Sequence, residues 1–312
     1  MKSRHPRSLF RQLPAVAVVL AAGFTGCGQP EDGPVLNVLA FHAWTMPPDG
    51  ALIPGPRSMT IGPGSELYVL DNAGRVLVFD GHGHEMRRWP MPDSSVGKAE
   101  GICVLKDGRV AVADTHYHRI VLFSQDGTLL GMHGRYGKGP GEFIYPVAIT
   151  QDDQGNYFVG EYGGNDRVQK FSPAGDFVLQ FGSFGTHPGE FQRPSGIVWH
   201  DHQILVADAF NNVIQRFSDS GKFIGILGAD GGAPGLHYPY DLGVNSRGEL
   251  FVAEYGSSRI SHLSSTGELL GRFGSVGSGD QQFSTPWGIA VDATGRVLVA
   301  DTGNRRIVEL KL

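Results

Sequence analysis

Six acidic residues recur along the chain at intervals of 43 to 47 residues, and carboxylates at a regular spacing are candidate metal ligands or acid–base groups. They are Asp71, Asp114, Glu161, Asp208, Glu254 and Asp301. A group that returns with every unit of a repeat more often serves the fold, because catalysis seldom needs six copies of it. We therefore expect these acids to accept hydrogen bonds from loop amides and from side chains such as Asn304 and Arg305.

A second set of candidates stands where strand-like runs begin, in most units directly after a proline. In chain order these positions hold Arg57, Glu100, Val147, Ser195, Tyr240 and Trp287. Aromatic faces beside a guanidinium and a carboxylate suit a small polar ligand, a sugar or a peptide end. The sequence therefore predicts a ligand site at Arg57, Glu100, Tyr240, Asp241 and Trp287. The alternative is that Arg57 and Glu100 only pair with each other while the aromatic side chains plug the space between the strands.

The 12 histidines include three pairs spaced two residues apart, a spacing that invites a metal interpretation. The pairs are His82 and His84, His116 and His118, and His200 and His202. They fall in turns or loops of different units, whereas a zinc site needs three or four ligands that converge on one point. We expect no metal site and no cofactor.

The units that carry these residues contain about four strand-like runs each and no helical periodicity, which is typical of propeller blades. The predicted fold class is all-β, a six-bladed β-propeller of four-stranded antiparallel blades. The last unit stops after its third strand, so we expect an N-terminal strand at about 35–44 to pair in that blade and close the ring. Closure makes the last and first blades neighbours, which joins Tyr240, Trp287, Arg57 and Glu100 into one arc.

Residues 286–292 and 299–307 closely resemble the NHL-repeat family, and the resemblance extends over about residues 50–312. It implies a six-bladed propeller. The first unit departs from the pattern in its short loop at 72–74, so an irregular first blade is expected. Long and varied loops such as 133–142 and 228–237 lead into the inner strands, and we expect binding on the face that carries them.

Two enzyme families with similar propellers supply the alternative function. Resemblance to the peptide-amidating lyase would imply zinc-binding histidines after the strand-opening prolines, where this chain has Val147, Ser195 and other residues but no His. Gluconolactonase-like propellers imply a calcium held by carboxylates and an Asn, and Glu100 with Asp241 imitates only part of that set. We expect a binding or scaffold module rather than an enzyme, and keep a metal-dependent lyase or lactonase as the alternative.

The first 26 residues have the pattern of a signal peptide, with four basic residues ahead of an apolar run that is too short to span a membrane. Gly26 and Cys27 resemble the lipobox of bacterial lipoproteins, which implies acylation of Cys27; the alternative is ordinary cleavage and a secreted product. The predicted domains are a signal peptide at 1–26, a tether at 27–34 and the propeller at 35–312. Cys103, in an apolar run, is expected to be a small core residue.

Charge and export narrow the range of partners. Loss of the four basic N-terminal residues takes the formal charge from −5 to about −9. An acidic exported protein is a poor match for a phosphate backbone, so we expect no nucleic acid. The predicted partner is a protein, peptide or glycan, and the predicted location is extracytoplasmic, with a membrane reached through lipid on Cys27.

Overall fold

The computed structural model describes residues 33–228, 234–292 and 294–312. The predicted signal peptide, Cys27 and most of the tether lie outside these residues. The described residues form six four-stranded antiparallel sheets and one two-stranded sheet. The inner strands of the six sheets contact one another in chain order, and the inner strand of the last sheet contacts that of the first. The predicted six-bladed propeller is confirmed.

The first three blades each take four consecutive strands, ordered from the channel outward. Blade one contains β2 (Pro56–Ile61), β3 (Leu67–Asp71), β4 (Arg75–Phe79) and β5 (Glu85–Pro90). Blade two contains β6 (Gly101–Val104), β7 (Val110–Asp114), β8 (Arg119–Phe123) and β9 (Leu129–His133). Blade three contains β10 (Tyr145–Gln151), β11 (Tyr157–Tyr162), β12 (Arg167–Phe171) and β13 (Phe177–Phe181). Blade one has four strands like the others, and its β2–β3 pairing contains a register shift between Pro56 and Met59.

The last three blades follow the same plan, except that the outermost strand of blade six comes from the N-terminal region. Blade four contains β14 (Pro194–His200), β15 (Gln203–Asp208), β16 (Val213–Ser218) and β17 (Phe223–Ile226). Blade five contains β18 (Pro239–Val244), β19 (Leu250–Glu254), β20 (Arg259–Leu263) and β21 (Leu269–Phe273). Blade six contains β24 (Pro286–Val291), β25 (Val297–Asp301), β26 (Arg306–Lys311) and β1 (Ala40–Thr45). A short parallel pair, β22 (Ser275–Val276) and β23 (Gln282–Phe283), precedes blade six.

Strand β1 closes the ring as predicted, but it begins and ends later in the chain than the predicted strand. It pairs antiparallel with β26 over its whole length, from Ala40 opposite Lys311 to Thr45 opposite Arg306. The residues ahead of β1 contact blade five instead, where the Leu36 amide donates to the Arg272 carbonyl at 2.8 Å. The N-terminal segment therefore fastens the outer edges of two neighbouring blades.

Apolar packing between blades forms the core. The described residues contain six buried apolar clusters, one between each neighbouring pair of blades. The middle strands are consequently covered on both faces; all five residues of β25, for example, are buried. Burial on both faces explains why these strands are continuous apolar runs rather than alternating ones.

The repeat acids tie the loops of one face to the strands. The Asp301 carboxylate accepts from the Ser284 amide at 2.7 Å, from Asn304 Nδ2 at 2.8 Å and from Arg306 Nε at 2.7 Å. Arg306 in turn donates to the carbonyls of Gly279 and Gln282. Arg306, rather than the expected Arg305, is thus the arginine that joins the acid to the loop leading into blade six.

The other blades repeat this arrangement with different partners. In blade three, Glu161 accepts from the Ile144 amide and from Arg167, which also donates to three carbonyls of the preceding loop. In blade four no arginine contacts Asp208 among the described residues; Asn211 and Gln215 donate to it instead. Burial raises the pKa of Asp208 to about 6, against the effect of these hydrogen bonds.

Three of the loops that lead into inner strands share one structure, so these loops are less varied than their sequences indicate. The loops span 134–143, 182–191 and 274–283, and a parallel bridge links Tyr136 to Phe143, Phe184 to Phe191 and Val276 to Phe283. In each loop a Glu or Gln side chain folds back to accept a backbone N–H of its own loop. The closing phenylalanine is fully buried in all three. Each loop is therefore a fixed part of the scaffold.

No helix in the part of the chain that the structure describes has the length and hydropathy needed to cross a bilayer.

Candidate functional site at the channel mouth

The inner strands all begin at the face that carries the long loops, which we call the long-loop face. There the loops before each inner strand meet the turns between second and third strands, whereas the opposite face carries tight hairpin turns. Gly108 in such a turn has φ +88°, which glycine adopts without steric cost. The strand-opening residues surround the channel at the long-loop face, and we call this end the mouth.

Glu100 is the centre of the polar contacts at the mouth. Arg57 Nη2 donates to its Oε1 at 3.2 Å, and the Tyr240 hydroxyl donates to its Oε2 at 3.1 Å. Arg193 Nη2 lies 3.7 Å from the same Oε2. Glu100 precedes blade two and Tyr240 belongs to blade five, opposite in a ring of six, so their hydrogen bond crosses the mouth. The pairing of Arg57 with Glu100, which the alternative interpretation expects, is therefore present.

Aromatic and guanidinium groups continue this arrangement around the mouth. The guanidinium of Arg57 lies 4.2 Å from the centre of the Trp287 ring, and Trp287 stacks on Tyr240 with ring centres 5.2 Å apart and an angle of 8°. On the other side of Tyr240, the guanidinium of Arg193 lies 4.2 Å from the Tyr162 ring. Stacked cations and rings of this kind hold the side chains in one orientation.

Arg193 belongs to the mouth although the sequence reasoning did not select it. It precedes Pro194 and takes φ +67°, and Tyr238, ahead of Pro239, takes φ +52°. Such left-handed conformations are uncommon for residues other than glycine and cluster at functional sites. The sequence signal for Arg193 is its position directly before a strand-opening proline, whereas the predicted site contains only residues at or beyond the position after the proline. The left-handed backbone conformation of Arg193 itself places its side chain over the mouth.

Two buried guanidinium groups keep an unused donor. The Nε atoms of Arg57 and Arg193 are buried and have no hydrogen-bond partner among the described residues. Burial lowers the pKa of Arg57, against the opposing effect of Glu100. A buried N–H without a partner is costly, so these two groups are the unsatisfied donors at the mouth.

Four of the five predicted site residues thus lie in direct contact, and the fifth lies apart from them. Asp241 follows Tyr240 on β18 but faces the channel, where its Oδ1 accepts from the Leu242 amide at 2.9 Å and its Oδ2 from the Ile289 amide at 3.0 Å. Gly196 is required beside it, since a Cβ there would lie 2.8 Å from the Asp241 Cα. Burial raises the pKa of Asp241 to about 7.

The histidine pairs do not come together. The pair at 82 and 84 lies in a tight turn of blade one and that at 116 and 118 at the long-loop face of blade two. In the third pair, His200 ends β14 of blade four and His202 lies in the turn that follows. Within the described ranges, no group of three or more His, Cys, Asp or Glu side chains is arranged to hold a metal ion. Cys103 lines the channel as a free thiol, and burial raises its pKa to about 12.

Two segments match the sequence profile of the NHL repeat, residues 97–123 and residues 283–310. NHL repeat-containing protein 3 from Homo sapiens is 39% identical over 54 residues, which is 17% of this chain and 15% of the human protein. The match therefore spans only a small part of that relative.

Solved structures resemble this propeller over most of its length. A streptogramin B lyase aligns with a TM-score of 0.62 and 16% identity, over 87% of this chain and 98% of the lyase. Virginiamycin B lyase from Staphylococcus aureus gives 0.61 and 17%, over 88% and 99%. A protein of unknown function from Bacteroides thetaiotaomicron gives 0.65 and 14%, over 87% and 76%. At these identities the likeness establishes the fold alone.

The raised pKa of Asp241 predicts a pH-dependent stability difference in Asp241→Asn. The native carboxyl holds its proton more tightly than the unfolded chain does, so its contribution to stability is present below about pH 4 and is lost as the pH rises to about 7. The variant cannot ionise there. Its free energy of unfolding relative to the unmodified protein should therefore rise by at least about 1 kcal/mol between pH 4.5 and pH 8. One pKa unit corresponds to about 1.4 kcal/mol.

Denaturant unfolding at the two pH values measures this difference, and the titration of Asp208 cancels because both proteins contain it. Asp292→Asn is the matched control. Burial opposes the shift, but hydrogen bonds from Thr294 and Arg296 hold the pKa of Asp292 below its ordinary value, so that variant should not gain stability with rising pH. A constant difference for Asp241→Asn across the range would show that Asp241 ionises normally.

Proposed function

We propose that this propeller is an extracytoplasmic binding module that holds an extended peptide segment of a partner protein on its long-loop face. The observation that carries the proposal is a row of aromatic side chains that runs from the rim to the mouth. Phe210 contacts Tyr238 with ring centres 5.1 Å apart, Tyr238 contacts Tyr240 at 5.9 Å, and Tyr240 stacks on Trp287. Arg57 lies over the far end of this row.

Exposure supports binding on this face. The aromatic residues that are more than half exposed among the described residues are Tyr136, Phe184 and Phe210, at 66%, 64% and 57%, and all three lie on the long-loop face. Aromatic side chains are enriched at protein interfaces because they bury a large area at a low cost in conformational entropy. The fixed loops described above present two of them, so little ordering would be needed when a partner binds.

The mouth itself favours a ligand that lies across it over one that enters the channel. Arg57, Glu100 and Tyr240 are buried and joined to one another, whereas Trp287 and Tyr238 remain partly exposed. A peptide chain has backbone carbonyl and carboxylate oxygens that suit the guanidinium of Arg193, which is partly exposed at the mouth. A glycan would use the same aromatic faces, and it is the second outcome of the test below.

Peptide phage display on the purified full-length protein tests the proposal. Peptides enriched on the unmodified protein should bind Phe210→Ala and Trp287→Ala at least tenfold more weakly, because each substitution removes one end of the row. Val178→Ala, on an exposed outer strand of blade three, should bind them unchanged. Titration of the synthetic peptides measures all three affinities.

Two results would contradict the peptide assignment. One is a set of peptides whose affinity is unaffected by both aromatic substitutions. The other is the absence of enriched peptides while a glycan array shows binding that requires Trp287, which would assign the row to carbohydrate. The structural likeness to the lyases carries no activity to this chain at the identities observed.

The proposed location rests on the N-terminal sequence. We propose that Cys27 is acylated after removal of residues 1–26 and that residues 27–34 tether the propeller to a membrane. Several acyl chains hold a lipoprotein firmly, whereas one chain alone binds reversibly.

Metabolic labelling tests the anchor. Cells that express the full chain in a bacterial host should incorporate labelled palmitate into the protein, and Cys27→Ser should abolish the label and release the propeller into the soluble fraction. Cys103→Ser is the control and should retain the label. Labelling that is unaffected by Cys27→Ser, or absent from the unmodified protein, would contradict the assignment.

A further inference from the structure

The central channel differs at its two ends. The strand-opening residues at the mouth are buried in five of the six blades, with Trp287 as the exception. The last residue of every inner strand is partly exposed; these residues are Ile61, Val104, Gln151, His200, Val244 and Val291. The channel is therefore obstructed at the long-loop face and accessible from the tight-turn face.

The channel encloses a cavity of about 220 Å³ whose lining includes both hydroxyl-bearing and aliphatic residues. Hydroxyl groups of Ser58, Ser195 and Thr150 line it, and the aliphatic side chains of Val244 and Val291 lie at the tight-turn end. About 15 Å³ is enough to hold one water molecule, whereas drug-sized ligands occupy pockets of roughly 300 Å³ or more. The cavity thus has the size for a small organic molecule.

Asp241 is the ionisable group that distinguishes this cavity. Both of its oxygens accept backbone N–H groups, and no Lys, Arg or His forms an ion pair with it among the described residues. The other titratable groups in the lining are Glu100, Cys103 and Tyr240. Glu100 is already paired with Arg57 at the mouth, and the Cys103 thiol is held in its neutral form by burial. A cation in the cavity would therefore have Asp241 as its partner.

We propose that the channel is a second binding site, which takes a small organic cation, a protonated primary amine with a short aliphatic tail, entering from the tight-turn face. The ammonium group pairs with Asp241 and donates to further oxygen atoms of the lining, while the tail contacts the valines at the open end. A single carboxylate is a poor site for a divalent metal, which prefers six or more oxygen ligands and several charges. An ammonium needs one carboxylate and two or three acceptors.

Isothermal titration of the full-length protein with n-butylammonium chloride tests the proposal, with n-butanol as the matched neutral probe and calcium chloride as the metal probe. We expect saturable binding of one ammonium, no binding of butanol at the same concentration, and at least tenfold weaker binding of the ammonium by Asp241→Asn. The amine stays protonated between pH 6 and pH 8, whereas Asp241 is mostly neutral at pH 6 and mostly ionised at pH 8. Binding should therefore be about tenfold weaker at pH 6 than at pH 8.

A second pair of variants tests the direction of access without altering the carboxyl. Val244→Trp narrows the tight-turn end and should lower the association rate at least fivefold, whereas Val178→Trp, on an outer strand, should leave it unchanged. Equal affinity for butanol and butylammonium would overturn the proposal, as would saturable calcium binding that displaces the amine. An association rate insensitive to Val244→Trp would overturn access from this face.

Discussion

Packing of each blade against its two neighbours is the constraint on which the rest of the structure depends. The apolar clusters lie between blades rather than within one sheet, so a single blade has no core of its own. Blades one and six obtain their second neighbour only when the ring closes, and residues of β2 and β3 then share a cluster with residues of β25 and β26. The pairing of β1 with β26 secures that closure with backbone hydrogen bonds between the two ends of the chain.

The mouth is a consequence of the same closure. Arg57 enters from blade one and Trp287 from blade six, and their contact exists only because these blades are adjacent. The acid and arginine networks then fix the surrounding loops from below, as Asp301 and Arg306 do for the loop at 274–283. The stability of the ring and the geometry of the long-loop face therefore have a common origin, and the aromatic row can remain ordered without a ligand.

The repeat allowed the fold to be predicted from the sequence, because an apolar run that ends in an acidic residue marks the second strand of each unit. The mouth was readable in part, because the residue after each strand-opening proline has a defined position. Asp241 was placed beside the arc, but β18 has a register shift between Pro239 and Asp241, and the Asp241 carboxylate accepts the amides of Leu242 and Ile289 instead of contacting the arc. The position of Arg193 at the mouth depends on its left-handed backbone conformation, which the residue type does not predict. The shared structure of three loops depends on contacts between a buried phenylalanine and the blades.

The cross-link between the two ends of the ring tests this account most directly. His42 and Glu309 lie opposite each other in the β1–β26 register. The Cα atoms of antiparallel partners are about 4.5–5.5 Å apart, which is within the range that a disulfide spans. The His42→Cys, Glu309→Cys protein should form an intramolecular disulfide on mild oxidation and melt at a higher temperature, since cross-links of this kind typically contribute about 2–4 kcal/mol. A double variant that stays reduced under oxidation, or cross-links only between molecules, would contradict a ring closed by its N-terminal strand.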